Sequence, residues 1–134
     1  MANKKFIAID GDDVGNLLRA RIISNDIQGI SSLSMSITDY FAQLRSILEF
    51  QGYEIVFCAG DSLLCCTTGE VTDSWFRELP EGPCTISVGI GATSEYAYLG
   101  LQLAKARGKR QVVQMDGVSA RTVLNWKDSE IRND

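Results

Sequence analysis

The 134-residue chain contains no histidine. That absence removes imidazole as a general base, the Ser-His-Asp triad and the usual zinc sites. An excess of positive charge is also missing. Thirteen Lys and Arg stand against 17 Asp and Glu, a formal net charge of −4, so no stable grip on duplex nucleic acid is expected. Cysteine is sparse, and Cys58, Cys65, Cys66 and Cys84 show no C-x-x-C spacing. Three of them lie in apolar strand-like runs, which suits reduced core thiols and a reducing cytoplasm. No apolar run is long enough to span a bilayer. The N-terminal lysines precede no apolar region of the kind a signal peptide needs, so a cytoplasmic protein without direct membrane contact is expected. A length of 134 residues and 45% hydrophobic content fit one domain, 1–134, with a real core.

Apolar periodicity orders that domain. Residues 5–10 read as a short central strand. Val14, Leu17, Leu18 and Ile22 then give a helix its apolar face, with Asp12 and Asp13 at its start. Residues 24–32 read as a loop. Ile37, Tyr40, Phe41, Leu44, Ile47 and Leu48 recur at helical spacing, and Gly52 ends that second helix. Residues 54–58 and 62–67 are strand-like and separated by three residues, which allows only an antiparallel hairpin. A short amphipathic piece around Trp75, Phe76 and Leu79 is closed by two prolines. In a strand over 84–92, Ile86, Val88 and Ile90 line one face. Ser87, Gly89 and Gly91 line the other, where a helix or ligand can approach the backbone. Ser94 is placed to cap a third helix over 95–107 with Tyr96, Leu99, Leu103 and Ala106 inward. Gly108 stops it, and 111–115 form a last strand. Asp116-Gly117 turns the chain, and a polar tail begins near 127. The order β-α-α-β-β-(α)-β-α-β is a ferredoxin-like α+β plan: a mainly antiparallel sheet with helices packed on it.

Two short acidic loops stand out against this frame: Asp10-Gly11-Asp12-Asp13-Val14-Gly15 and Ala59-Gly60-Asp61-Ser62. Each follows a strand-like run. In the ferredoxin-like order the hairpin tip lies beside the end of the first strand, so Asp10 and Asp61 meet at one sheet edge. Carboxylates brought together in this way repel unless a cation lies between them. Hard oxygen ligands at a glycine-lined edge suit Mg2+ and phosphate. Each motif also has a plainer reading. Asp10-Gly11 and Asp61 suit turns, Asp12 and Asp13 suit helix capping, and Lys105 and Lys109 suit solvated cations near a helix C-terminus.

Four segments in order carry a resemblance: Ile9-Asp10-Gly11-Asp12-Asp13-Val14-Gly15, Cys58-Ala59-Gly60-Asp61-Ser62-Leu63-Leu64, Ile86-Ser87-Val88-Gly89-Ile90 and Ala104-Lys105-Ala106-Arg107-Gly108-Lys109. Over residues 5–115 the chain resembles the palm domain shared by diguanylate cyclases and CRISPR-associated polymerases, and in particular the stand-alone minimal CRISPR polymerase family. The resemblance implies a ferredoxin-like/RRM-like polymerase palm and two-metal nucleotidyl transfer, with two Mg2+ (or Mn2+) per active site. By this likeness Asp10 and Asp61 are catalytic metal ligands, and the Gly11 carbonyl helps hold a metal. Backbone amides from Asp12, Asp13, Val14 and Gly15 face a triphosphate at the helix start. Gly60 and Ser62 flank it in the hairpin, and Lys105 and Lys109 hold phosphates from one side if the helix extends that far. The family's second motif usually carries a further acid where this chain has Ser62.

The resemblance further implies nucleoside triphosphate substrates, ATP first among them, and a cyclic dinucleotide or short cyclic oligonucleotide product. It implies antiviral defence, a separate effector that reads the product, and a homodimer bringing two half-sites together. Asn16, Leu17 and a loop over 25–36 are candidates for a base pocket. The alternative is a catalytically inactive palm that binds a nucleotide or partner as a sensor, motivated by Ser62. Two other classes fit less well. A haloacid dehalogenase phosphatase needs a parallel crossover that three residues cannot make, and no lysine lies between Lys5 and Lys105 to serve its chemistry. An RNA-binding sheet needs exposed aromatics and a basic surface, whereas these strands are aliphatic or small and the charge is negative.

Overall fold

The computed structural model describes residues 3–71 and 74–128. Six strands and three helices follow in the order β1 (Lys5–Gly11), α1 (Val14–Ile23), α2 (Ile27–Phe50), β2 (Glu54–Ala59), β3 (Ser62–Thr67), β4 (Ile86–Gly91), α3 (Ser94–Ala106), β5 (Gln111–Asp116) and β6 (Ser119–Asn125). One sheet runs β2-β3-β1-β4-β5-β6. β4 and β5 pair in parallel through the α3 crossover, and the other neighbours pair antiparallel. This is the expected α+β palm-like plan. No helix among the described residues is long and apolar enough to cross a membrane.

Strand alternation separates the two faces of the sheet. Ile7 and Ile9 join the main core with Leu33, Ile37, Tyr40, Phe41, Leu44 and Leu48 of α2. Ala8, pointing the other way, packs with Ala97 and Leu101 of α3. Helices therefore cover both faces of β1, which explains its unbroken apolar run. The small face of β4 is a helix seat: a Cβ on Gly89 would lie 2.0 Å from the Ala97 carbonyl oxygen and 2.2 Å from the Leu101 nitrogen. That close approach fixes how far α3 reaches toward the acidic edge.

Several sequence expectations need correction. Residues 27–32 are helix, not loop: the Asp26 side chain accepts from the Gly29 amide at 2.9 Å, which starts α2 early. Leu33 extends the apolar stripe of α2 into that early part, and burial outweighs the loop-like serines. Helix α3 is capped by Thr93 rather than Ser94, its hydroxyl accepting from the Tyr96 amide at 3.1 Å. The buried face of α3 is Ala97, Gly100, Leu101 and Ala104, while Leu99 and Ala106 are exposed. Close packing selected small residues where size alone pointed to large ones. The strand expected over 84–92 is trimmed to Ile86–Gly91, and the piece around Trp75 contains a single 3-10 turn, Phe76–Glu78. β6 was not expected at all. It is a half-exposed edge strand whose Ser119, Arg121 and Thr122 hide its alternation. Of the polar tail, residues 129–134 lie outside the described residues.

Tyr40, buried at the centre of α2, donates its hydroxyl to the Pro80 carbonyl at 2.9 Å. Burial, and then the neighbouring Cys84 and Glu81, push its pKa from 10.0 up to about 12. A group raised in the folded state contributes its full stability below its unfolded value and loses it as pH climbs through the folded one. Stability should therefore fall between pH 10 and 12. Tyr40→Phe should cost about 1 kcal/mol at neutral pH through the lost hydrogen bond. The same variant should show a shallower alkaline decline than the wild type, read from thermal midpoints across that interval.

Candidate active site

The two acidic loops meet. Asp10 pairs across the sheet with Ser62 of β3 on one side and Ser87 of β4 on the other. The Gly11 amide donates to the Asp61 carbonyl at 2.8 Å, tying the end of β1 to the hairpin tip. Gly60 takes a positive φ of 58° at the tight turn between β2 and β3. Gly11 has no room for a side chain: a Cβ there would lie 2.8 Å from Val14 Cγ2 and 3.2 Å from both Asp61 Cβ and Cys84 Sγ.

The charge at this edge is organised around one cation. Lys105, in the last turn of α3, donates to the Gly11 carbonyl at 3.0 Å. The same ammonium lies 3.4 Å from Asp10 Oδ2 and 3.4 Å from Asp12 Oδ1. Ser62 donates its hydroxyl to the other oxygen of Asp10. The Asp61 carboxyl is held above the ordinary carboxylate range, by burial first and then by the Asp10 charge, with Lys105 opposing the shift. The Cys84 thiol is pushed up by burial and by the charges of Asp12 and Asp61.

Asp10, Gly11, Gly60, Asp61, Ser62 and Lys105 thus converge as the sequence suggested. Lys109 arrives by a different route. The helix ends at Ala106, so the two lysines do not share a helical face; Lys109 sits beyond Gly108 with φ 67° and pairs with Asp13. Neither Asp12 nor Asp13 caps α1 with its side chain: Asp13 occupies the N-cap position in a left-handed conformation and makes no side-chain cap bond. The Asp12 amide, expected to face phosphate, donates instead to the Thr85 carbonyl at 2.8 Å. Val14 and Gly15 open α1. Within the expected base pocket, Asn16 accepts from Arg19 at 2.6 Å, and most of the 25–36 segment is α2 rather than a loop.

Hard oxygen donors are present for a divalent cation. The carboxylate of Asp10 and the carbonyl of Gly11 already bracket a single positive centre, and the Asp61 carboxyl beside them is raised by burial first and then by the Asp10 charge. Among the described residues no cluster of three or more His, Cys, Asp or Glu side chains is arranged for a metal. Two carboxylates and a carbonyl suit Mg2+, which keeps waters and takes phosphate oxygens rather than a full protein cage.

A family model, the minimal CRISPR polymerase domain, matches residues 6–115. The chain belongs to the minimal CRISPR polymerase domain family. No curated protein matches it. The match runs from Phe6 in β1 to Met115 in β5 and so contains both acidic loops and both lysines. A polymerase-family domain points to nucleotidyl transfer in outline.

Within this minimal CRISPR polymerase domain, Asp12 is the residue that sequence reasoning undervalued. It is 3% exposed, and its carboxylate accepts from Thr85 Oγ1 and Ser87 Oγ, each at 2.7 Å, and from the Arg110 amide at 3.3 Å. It therefore joins β4, the approach to β5 and Lys105. Ser87 on an otherwise glycine-lined face was the available signal; Thr85, before the strand, gave none. Asp12→Ala should cost about 3 kcal/mol in urea unfolding, because it strands buried donors and a partly buried ammonium. Asp13→Ala, which removes an exposed ion pair, should leave the midpoint unchanged.

Proposed function

We propose that this domain is a metal-dependent nucleotidyltransferase that joins nucleoside triphosphates, ATP first, into a cyclic dinucleotide or short cyclic oligonucleotide. The observation that carries this reading is the convergence of Asp10, the Gly11 carbonyl and Asp61 around a cation-bearing edge in a polymerase-family domain. In each step a ribose hydroxyl oxygen of one nucleotide attacks the α-phosphorus of another. A new P–O bond forms, the bond to the bridging oxygen of pyrophosphate breaks, and pyrophosphate leaves with the electron pair. The hydroxyl proton goes to solvent. Closing the ring repeats the step within the linear product.

Asp10, Asp61 and the Gly11 carbonyl would hold the Mg2+ or Mn2+ ions, two per site in this reading, which lower the attacking hydroxyl's pKa and screen the leaving phosphate oxygens. Ser62 orients Asp10 by donating to it, a positioning role that needs no second acid. Lys105 and Lys109 supply countercharge to the triphosphate as it displaces their carboxylate partners. The reading carries with it a cytoplasmic role in antiviral defence and a separate effector that responds to the product.

Incubation with Mg2+ or Mn2+ and ATP, alone and mixed with other triphosphates, should give a phosphodiester product and pyrophosphate by mass spectrometry. Asp10→Ala and Asp61→Ala should each lower the rate by about 10² or more. Saturable metal-dependent nucleotide binding without product would assign the domain a sensor's role instead. Asp61 carries a further expectation. A carboxyl raised in the folded state destabilises the fold once ionised, so at pH 7 its charge is a net cost. Asp61→Asn should therefore abolish transfer while raising the thermal midpoint at pH 7 above that of the wild type.

A further inference from the structure

A groove of about 300 Å3 lies on the α3 side of the sheet and runs into the acidic edge. Its floor follows from strand alternation. Ala8 and Asp10 share one face of β1, with Leu64 and Ser62 opposite them on β3 and Phe57 paired to Leu64 from β2. All five line the groove. The facing wall is α3, seated on Gly89 of β4. Tyr98, Leu101 and Gln102 line it at i, i+3 and i+4, and Lys105 continues the same stripe at i+7. The groove and the Lys105 ammonium thus belong to one helix face, with Tyr98 about 10 Å of helix before Lys105.

This lining is open to a ligand. The Phe57 ring is 47% exposed on the β2 side, and the Tyr98 ring is 58% exposed on the α3 side. Gln102 is exposed too, and no other described residue engages its amide or the Tyr98 hydroxyl. Between the two rings the floor of Ala8, Leu64 and Leu101 is apolar. Charge enters only at the Asp10 end. An apolar slot with an aromatic ring on either side, ending at a cation-bearing edge, complements a flat heteroaromatic ring with phosphate at one end. A primary amide offers a donor beside an acceptor, which matches the 6-amino group of adenine and an adjoining ring nitrogen. The volume is at the small end for ligand pockets, suited to a base and its ribose with the phosphates outside at the edge.

Resting on the transferase reading above, we propose that this groove holds the adenine of the nucleoside triphosphate whose phosphates meet Lys105. Phe57 and Tyr98 pack on the base, and Gln102 reads its 6-amino edge. The order of residues along α3 sets the arrangement, with the base at Tyr98 and Gln102 and the phosphates one to two turns on at Lys105. Ser62 lines the junction with Asp10, and a hydroxyl there leaves the passage from base to phosphate without a further negative charge. The base then lies across the sheet from Leu17 and α2, which pack in the opposite core.

The test is calorimetry in Mg2+ with two probes. Adenosine α,β-methylene triphosphate cannot release pyrophosphate, and inorganic tripolyphosphate has the phosphates without a base. Phe57→Ala and Tyr98→Ala should each weaken the nucleotide analogue about tenfold, the size of a base–aromatic contact, and leave tripolyphosphate unchanged. Both side chains are exposed, so both variants should fold, which circular dichroism checks. The matching analogue of purine riboside, which lacks the 6-amino group, should bind the wild type about fivefold more weakly than the adenosine analogue. Gln102→Leu should erase that difference; a difference that survives it overturns the role of Gln102. No saturable binding of the adenosine analogue, equal loss of both probes, or nucleotide affinity unchanged in Phe57→Ala and Tyr98→Ala overturns the base site even if ATP is converted to product. Unchanged affinity with loss of a dimer would give this face to a second copy of the chain instead. Binding that obeys these expectations with no product from ATP overturns the transferase reading and leaves the base site standing.

Discussion

The Lys105 ammonium sits 3.0 Å from the Gly11 carbonyl oxygen and 3.4 Å from carboxylate oxygens of both Asp10 and Asp12. Without positive charge at that point the edge works against its own folding. Unit charges 4 Å apart repel by about 4 kcal/mol at the effective dielectric near a protein surface, and Asp10, Asp12 and Asp61 all lie close by. The position of the ammonium is inherited from packing elsewhere. α3 seats directly on the backbone of β4 because Gly89 leaves no side chain in the way, and Thr93 sets where the helix begins. Moving α3 outward by one side chain's depth would withdraw the cation from the acids.

The acids divide the work. Asp12 is buried and fully engaged by Thr85, Ser87, Arg110 and Lys105, so it belongs to the scaffold that aims the edge. Asp10 is half-satisfied: one oxygen takes the Ser62 hydroxyl and the other faces Lys105. Asp61 is held near Asp10 by the Gly11 amide and has a raised pKa. That gradient, from the fully engaged Asp12 to the raised Asp61, marks where an incoming cation gains most. Ser62 belongs to the same logic. A third carboxylate there would add repulsion beside Asp10, whereas a hydroxyl adds a donor.

Much of this was legible in the residues. Strand-turn-strand patterning around Ala59-Gly60-Asp61-Ser62 allowed only a hairpin, and an apolar β1 ending in Asp10-Gly11 placed both acids at one edge. The early turns of α2 were not legible, because serines and Gly29 look like loop until Asp26 is seen to cap them and Leu33 to be buried. β6 was missed for the opposite reason, since an edge strand has no need of apolar alternation. The inward face of α3 was shifted because a seat of bare backbone favours Ala97, Gly100 and Ala104 over larger neighbours. The work done by Asp12 arises from contacts across more than 70 residues of sequence, which spacing along the chain does not encode.

The claim on which the rest stands is that the edge formed by Asp10, Gly11 and Asp61 is a cation site. Electron paramagnetic resonance of Mn2+, titrated into the protein with a triphosphate analogue that cannot react, reads that property without requiring turnover. Saturable Mn2+ binding should be lost in Asp10→Ala and in Asp61→Ala. It should survive in Asp116→Asn, which changes an exposed acid at the far end of β5. Mn2+ binding that is indifferent to both Asp10 and Asp61 would contradict it.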